Sequence, residues 1–159
     1  MGAKSEALGK QFEAKAQEAA AVLEKLSDAD WKKVTEAEKW TVGVTAHHVA
    51  TALEPIAGMI TAIVSGQARG SFTMGMLDEM NAKHAKEHAS CTKAETSALL
   101  KKGTAAAAAV VRGLSDDQLA RSGTVVTDAP PMTAEQIVTG GLFRLIDDHF
   151  GSIRKTVGK

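Results

Sequence analysis

Apolar residues in this chain return every three or four positions in each long segment and every second position in none. That period builds a helix with one apolar face and excludes a half-buried strand. Residues 41–65 show it most clearly, with Val49, Leu53, Ile56, Ile60 and Ile63 or Val64 on one stripe. Residues 5–26 place Leu8, Phe12, Ala16, Ala19, Val22, Leu23 and Leu26 on one side and Lys10, Glu13 and Glu24 on others, an amphipathic surface helix. A third helical region, 76–113, divides at Ala89-Ser90-Cys91-Thr92, where Thr92 caps and Glu95 can close a capping box. The last helix, 134–156, opens with Thr133 and Gln136 and carries Val138, Leu142, Leu145, Ile146 and Ile153. Alanine supplies 28 of the 159 residues, aromatics only 4%, and tyrosine is absent, which favours helices over a sandwich or barrel. The expected fold is all-α, a four-helix bundle forming a single domain over 1–159.

The joints carry their own signals. Residues 28–39 form a polar connection that holds Trp31 and a short helical turn, and Ser115 with Gln118 marks a second capped turn. Trp31 and Trp40 are expected to pack against the bundle end. Residues 65–75 and 122–132 read as loops, the second with two of the three prolines and no strand pattern. Pro55 should kink the second helix, because it lacks a backbone donor and crowds the preceding turn. Gly140-Gly141 would weaken the last helix, so close approach to a neighbouring backbone is expected there.

Charge and cysteine content exclude several classes. Lys+Arg and Asp+Glu are both 19, so the electrostatic footprint of a nucleic-acid binder is missing. Cys91 stands alone, which excludes a disulfide framework and a cysteine-based zinc site, and its free thiol suits the cytoplasm. The first 19 residues lack the apolar segment of a signal peptide. The uncharged runs 41–53 and 55–68, separated by Glu54, are each shorter than the roughly 20 residues that span a bilayer. The expectation is a cytoplasmic protein with neither nucleic acid nor membrane as partner.

Chemistry, if present, rests on five histidines. His149 lies one turn after Leu145 and one turn before Ile153, within an apolar stripe, so its ring nitrogens need partners. His48 sits at the edge of the second helix's stripe. His47 points about 100° away from it, so the two should not both face one central site. Asn81, His84 and His88 share one face of the third region, and His84 with His88 forms an HxxxH pair able to chelate a metal from one helix. Lys83, Lys86 and Glu87 mark that same segment as solvated, where histidines commonly sit in water.

The run Trp40-Thr41-Val42-Gly43-Val44-Thr45-Ala46-His47-His48-Val49 resembles the second-helix entry of the DinB-like (DNA-damage-inducible) superfamily. There, a Trp-Ser/Thr start is followed eight residues after the tryptophan by a metal-binding histidine, which selects His48. Asp78-Glu79-Met80-Asn81 resembles the middle helix, in which an asparagine approaches the site, and His149-Phe150-Gly151-Ser152-Ile153 is similar to the closing H-x-G-Q-I pattern. The resemblance implies an up-down-down-up bundle, often dimeric. It also implies a relation to mycothiol-dependent maleylpyruvate isomerase and bacillithiol transferases, in which three histidines hold a divalent metal. His48 and His149 would then be metal ligands and Asn81 a catalytic residue that orients substrate. Two positions depart from the pattern. The third ligand's place, four residues before His149, holds Leu145, for which His84, His88 or Asp148 could substitute though their spacing does not demand it, and Ser152 replaces the glutamine.

Two functions follow. One is metal-assisted transfer or isomerisation of a small molecule by a low-molecular-weight thiol, with zinc or nickel weakened by Leu145. The other is a metal-free bundle that binds a small ligand, or serves a stress response by association, with His48 and His149 as hydrogen-bonding or acid–base groups. Finally, residues 41–68 carry one formal charge, Glu54, and a helix apolar on most sides needs cover on most sides. A homodimer joined through that helix is the simplest cover.

Overall fold

A computed structural model describes residues 2–68, 70 and 72–158. Its helices are α1 (Ala3–Glu24), α2 (Asp28–Lys32), α3 (Val42–Val64), α4 (Met74–Glu87), α5 (Lys93–Arg112), α6 (Asp116–Ala120), α7 (Ala134–Ile137) and α8 (Arg144–Val157). Capping boxes form at Ser115 with Gln118 and at Thr133 with Gln136, whereas at Thr92 only the hydroxyl cap forms and the Glu95 carboxylate faces His47 instead. The hydroxyls of Thr41, Thr92 and Thr133 accept from the amides of Val44, Glu95 and Gln136, three residues on.

The long helices form a closed ring in which α1 and α3 each pack on both α5 and α8. Side-chain pairs give their directions. Glu6 meets Arg112 while Glu24 meets Ser97, so α1 and α5 are antiparallel. His47 meets Glu95 and, further along, Gly103 lies against Ala50 and Leu53, so α3 and α5 are parallel. Lys4 with Glu135 and Lys15 with Asp147 align α1 with the last helical stretch, whose Gly141 and His149 lie beside Ile56 and His48 of α3. The order is up-down-down-up, a four-helix bundle. Two parallel neighbours, α3 and α5, require a long return, and α4 provides it.

Phe12, Leu23, Leu53, Ile60, Leu142 and Phe150 fill the centre, each at most 1% exposed. At about 1.5–3 kcal/mol per fully buried side chain, this common core is the main driving force for assembly. No helix among the described residues is long and apolar enough to cross a membrane.

Three features differ from the period of the sequence. The last helix contains a π-helical turn, Val138–Phe143, between α7 and α8. It holds Gly140-Gly141, but the close backbone approach expected there is absent: a Cβ on Gly141 would meet the Ile56 side chain at an ordinary 3.4 Å and one on Gly140 the Met132 side chain at 3.9 Å. The extra residue changes the helix phase. Phe143 and Phe150 therefore join the core, and Leu145 is only half-buried at its edge. The loop expected over 122–132 closes through a short antiparallel ladder, β1 (Ser122–Gly123) with β2 (Met132–Thr133), too short to leave an alternating pattern. Pro55, expected to kink α3, lies within one continuous helix with its ring on the exposed side.

Candidate functional site

Gly43 begins the site. Any side chain there would meet the Trp31 indole, since a Cβ would lie 2.4 Å from its ring. Trp31 packs on this first turn of α3 and donates its Nε1–H to the Cys91 carbonyl at 2.9 Å. One indole thus ties α2 and α3 to the joint between α4 and α5. Trp40 lies nearby with its ring edge toward His48, 5.3 Å between centroids.

Here all five histidines come together. His47 stacks on His84 and His88 at 4.9 and 4.4 Å between centroids, and His84 approaches His88 at 4.7 Å. His48 stands edge-on to His84 at 5.7 Å and to His149 at 5.0 Å. His47 Nδ1 and His84 Nε2 are 2.8 Å apart and share a proton, with the Thr51 hydroxyl 3.5 Å from the same His84 nitrogen. The expectation that His47 and His48 serve different places is corrected. They do diverge around α3, but α4 crosses over both and His84 touches each. His47 is the deeper, 1% exposed, because α4 and Glu95 of α5 cover its side; His48 opens into a cavity. His84 and His88 are half-buried rather than solvated.

Two carboxylates flank the cluster. Glu95 Oε1 lies 3.5 Å from His47 Nε2, and Glu38 Oε1 lies 3.7 Å from His149 Nδ1. Neither gap is a well-formed hydrogen bond. Among the described residues, His47 Nε2, His84 Nδ1, His149 Nδ1 and Glu38 Oε2 are buried without a hydrogen-bond partner. The sequence offered no signal for Glu38 or Glu95, which belong to a polar connection and a helix cap.

Burial first, and crowding second, disfavour charge on His47, His48, His84 and His149. Burial holds His48 down to about 4, and the neighbouring His149, His84 and His47 oppose its charge further. Burial, then His47 and His88, hold His84 down to about 4. His47 is lowered by burial and His88 against the pull of Glu95, and His149 by burial against Glu38 and Asp148. Burial also raises the Cys91 thiol, which does not make it a ready nucleophile. Neutral imidazole is the form that binds metals. His47, His84 and His88 each bring a ring nitrogen within 4.8 Å of the other two. Three converging imidazole nitrogens are a donor set that fits a divalent transition metal.

Beside the cluster, α3, α4, Phe72 and Val125 enclose a cavity of about 630 Å³. Its walls are mostly apolar, with Ile56, Met59, Leu77 and Met80 among them; His48, Thr51, Asn81 and His84 gather at the histidine end. Leu145 lines it as well. Part of the uncharged outer face of α3 is therefore the floor of a cavity, while Pro55, Gly58 and Thr61 stay exposed.

No curated protein sequence matches this chain. Among solved structures, the mycothiol-dependent maleylpyruvate isomerase superposes with a TM-score of 0.74 at 13% identity, over 94% of this chain and 60% of that one. A histidine-to-alanine mutant of the same isomerase gives 0.76 at 12% identity over the same shares. The chain thus spans about 60% of that isomerase's length. YfiT from Bacillus subtilis, described as a probable metal-dependent hydrolase with an unusual four-helix bundle topology, gives 0.74 at 16% identity, over 99% and 90%. At these identities the likeness establishes the fold. The sequence profile of the mycothiol maleylpyruvate isomerase N-terminal domain matches residues 12–139, a span from α1 through the histidine-bearing α3 and α4 to the π-turn. This chain belongs to that family, within the DinB-like superfamily.

Proposed function

We propose that the cavity takes a small electrophile together with a low-molecular-weight thiol, and that the protein catalyses thiol transfer or thiol-assisted isomerisation there. The observation that carries this is the cavity's polarity: apolar walls to bind a carbon skeleton, and His48, Thr51, Asn81 and His84 collected at one end to act on it. The amide of Asn81 can both donate and accept, and so orient a carbonyl or carboxylate. Whichever of neutral His48 and His84 is not engaged by a metal can take the proton that a thiol gives up on attack. In isomerisation of a cis alkene, sulfur adds to one alkene carbon, the resulting single bond rotates, and sulfur departs with its electron pair. Thiol and proton are both returned.

Zinc or nickel held by imidazoles would lower the thiol's pKa and so supply thiolate at neutral pH. His48 and His149 are the ligand pair that the superfamily pattern assigns. A second function, ligand binding without metal, is favoured by one observation: Leu145 occupies the cavity wall at the place of the pattern's third ligand. A homodimer through α3 goes with either function, because Pro55, Gly58 and Thr61 of its uncharged face remain exposed beside the cavity.

Turnover of maleylpyruvate in the presence of mycothiol or bacillithiol, with zinc or nickel added, tests the proposal. Conversion that requires the thiol and is lost in His48→Ala supports it. Ligand binding by calorimetry without turnover transfers support to the second function. Absence of both binding and turnover overturns the cavity as a site.

A further inference from the structure

The five histidines do not form one equivalent set, and their geometry points to a metal position away from the superfamily's pair. We propose that a divalent metal of the zinc class binds His47, His84 and His88, with Glu95 orienting His47 from behind, and that this metal fastens α4 over the cavity. The proposal deepens the metal-assisted function and rests on it for its use in catalysis, though not for its test.

Three observations carry it. First, His47, His84 and His88 alone among the described residues bring three donor nitrogens within 4.8 Å of one another. Tetrahedral zinc with bonds of about 2.0–2.1 Å places its ligand atoms roughly 3.3 Å apart, so modest side-chain rotation closes the set. The 2.8 Å between His47 Nδ1 and His84 Nε2 would open by about 0.5 Å on that geometry. His48 and His149 form no such set with Glu38, although its Oε1 lies 3.7 Å from His149 Nδ1, and Leu145 is the residue one turn before His149.

Second, the two nitrogens of His47 are divided. Nδ1 faces His84, the metal side, and Nε2 faces the Glu95 carboxylate at 3.5 Å. A carboxylate on the far nitrogen of a ligating histidine fixes its tautomer and orientation and strengthens it as a donor.

Third, α4 buries none of its residues fully. Its first turn is held by the Thr73 cap and by Asp128, which accepts from the Met74 amide at 3.0 Å. At the other end stand His84 and His88. A metal bridging them to α3 would supply the anchor that packing lacks.

Zinc titration of the metal-free full-length chain, followed by calorimetry and by hydrogen exchange along α4, tests the site without reference to activity. One zinc per chain is expected, with slower exchange in α4. His88→Ala, a surface-side change that should leave the bundle folded by circular dichroism, is expected to weaken zinc at least about 10- to 100-fold, the loss that even an outer partner's removal brings. Glu95→Gln should fall in the same range, and His149→Ala should leave affinity unchanged. The reverse pattern, with loss in His149→Ala and none in His88→Ala, overturns the proposal and returns the metal to the superfamily's pair. Absence of zinc binding by the folded wild type overturns it too, while thiol or electrophile binding to the cavity would still stand.

Discussion

Helices α4 and α5 follow each other in sequence with only residues 88–92 between them, yet they relate to the molecule in opposite ways. α5 buries Thr96, Leu100, Gly103, Ala107, Ala108 and Val111; α4 buries nothing completely and exposes Met74, Met76 and Met80. Gly103 shows how close α5 comes to α3, since a Cβ there would lie 3.0 Å from the Ala50 carbonyl and 3.2 Å from Leu53. α4 instead stands off α3 by the width of a cavity. The helix that contributes least to the core carries Asn81, His84 and His88. An element held by a few polar contacts can open and admit a ligand at low cost, whereas a core helix cannot move without breaking the bundle.

The largest expected effect separates the two helices by stability. Leu100→Ala should cost about 2–5 kcal/mol in urea unfolding, because it leaves a cavity in the closely packed core. Leu77→Ala on α4 should cost less than about 1 kcal/mol, since its side chain is only half-buried. Equal costs would make α4 part of the folding core and remove the contrast.

A smaller effect is expected from pH. In metal-free protein the folded-state values of His48 and His84, about 4, lie below the ordinary 6.5. Between those limits the unfolded chain binds protons that the folded chain refuses, so stability rises with pH across the window. The contribution is complete above about pH 6.5 and is lost progressively on acidification toward 4. Replacing His48 with Asn should flatten this dependence in denaturant titrations at a series of pH values. An unchanged slope would mean that the cluster is hydrated and open.

The smallest effect concerns association. With Pro55, Gly58 and Thr61 of α3 exposed beside the cavity, light scattering should give twice the 16.6 kDa of one chain. A mass near 16.6 kDa would remove the homodimer and leave that edge of the cavity to solvent.

Helix existence was legible in the sequence because periodicity and capping are local. Thr41, Thr92 and Thr133 each bond an amide three residues away, and no distant contact alters that. The π-turn was not legible, although Gly140-Gly141 marked its place. The sequence carries two small residues there; how an extra residue is absorbed depends on Ile56 across the interface. The same limit applied to His47 and His48. A helical wheel correctly separates the rings by about 100°, but cannot know that another helix will lie across both.

By itself, then, the order of residues determined an all-α chain with four long amphipathic helices, the joints between them, and histidines on the faces that could meet. Each of those follows from interactions spanning one turn of helix or from the apolar stripe it creates. Only the tertiary structure decided that α3 and α5 run parallel, that α4 returns across them above a cavity, and that Glu38 and Glu95 stand behind the histidines. Those outcomes depend on contacts between residues about 35 to over 100 positions apart, such as His47 with His84 and Glu38 with His149. No local pattern encodes such a meeting, because it exists only after the shared core has fixed the helices in place.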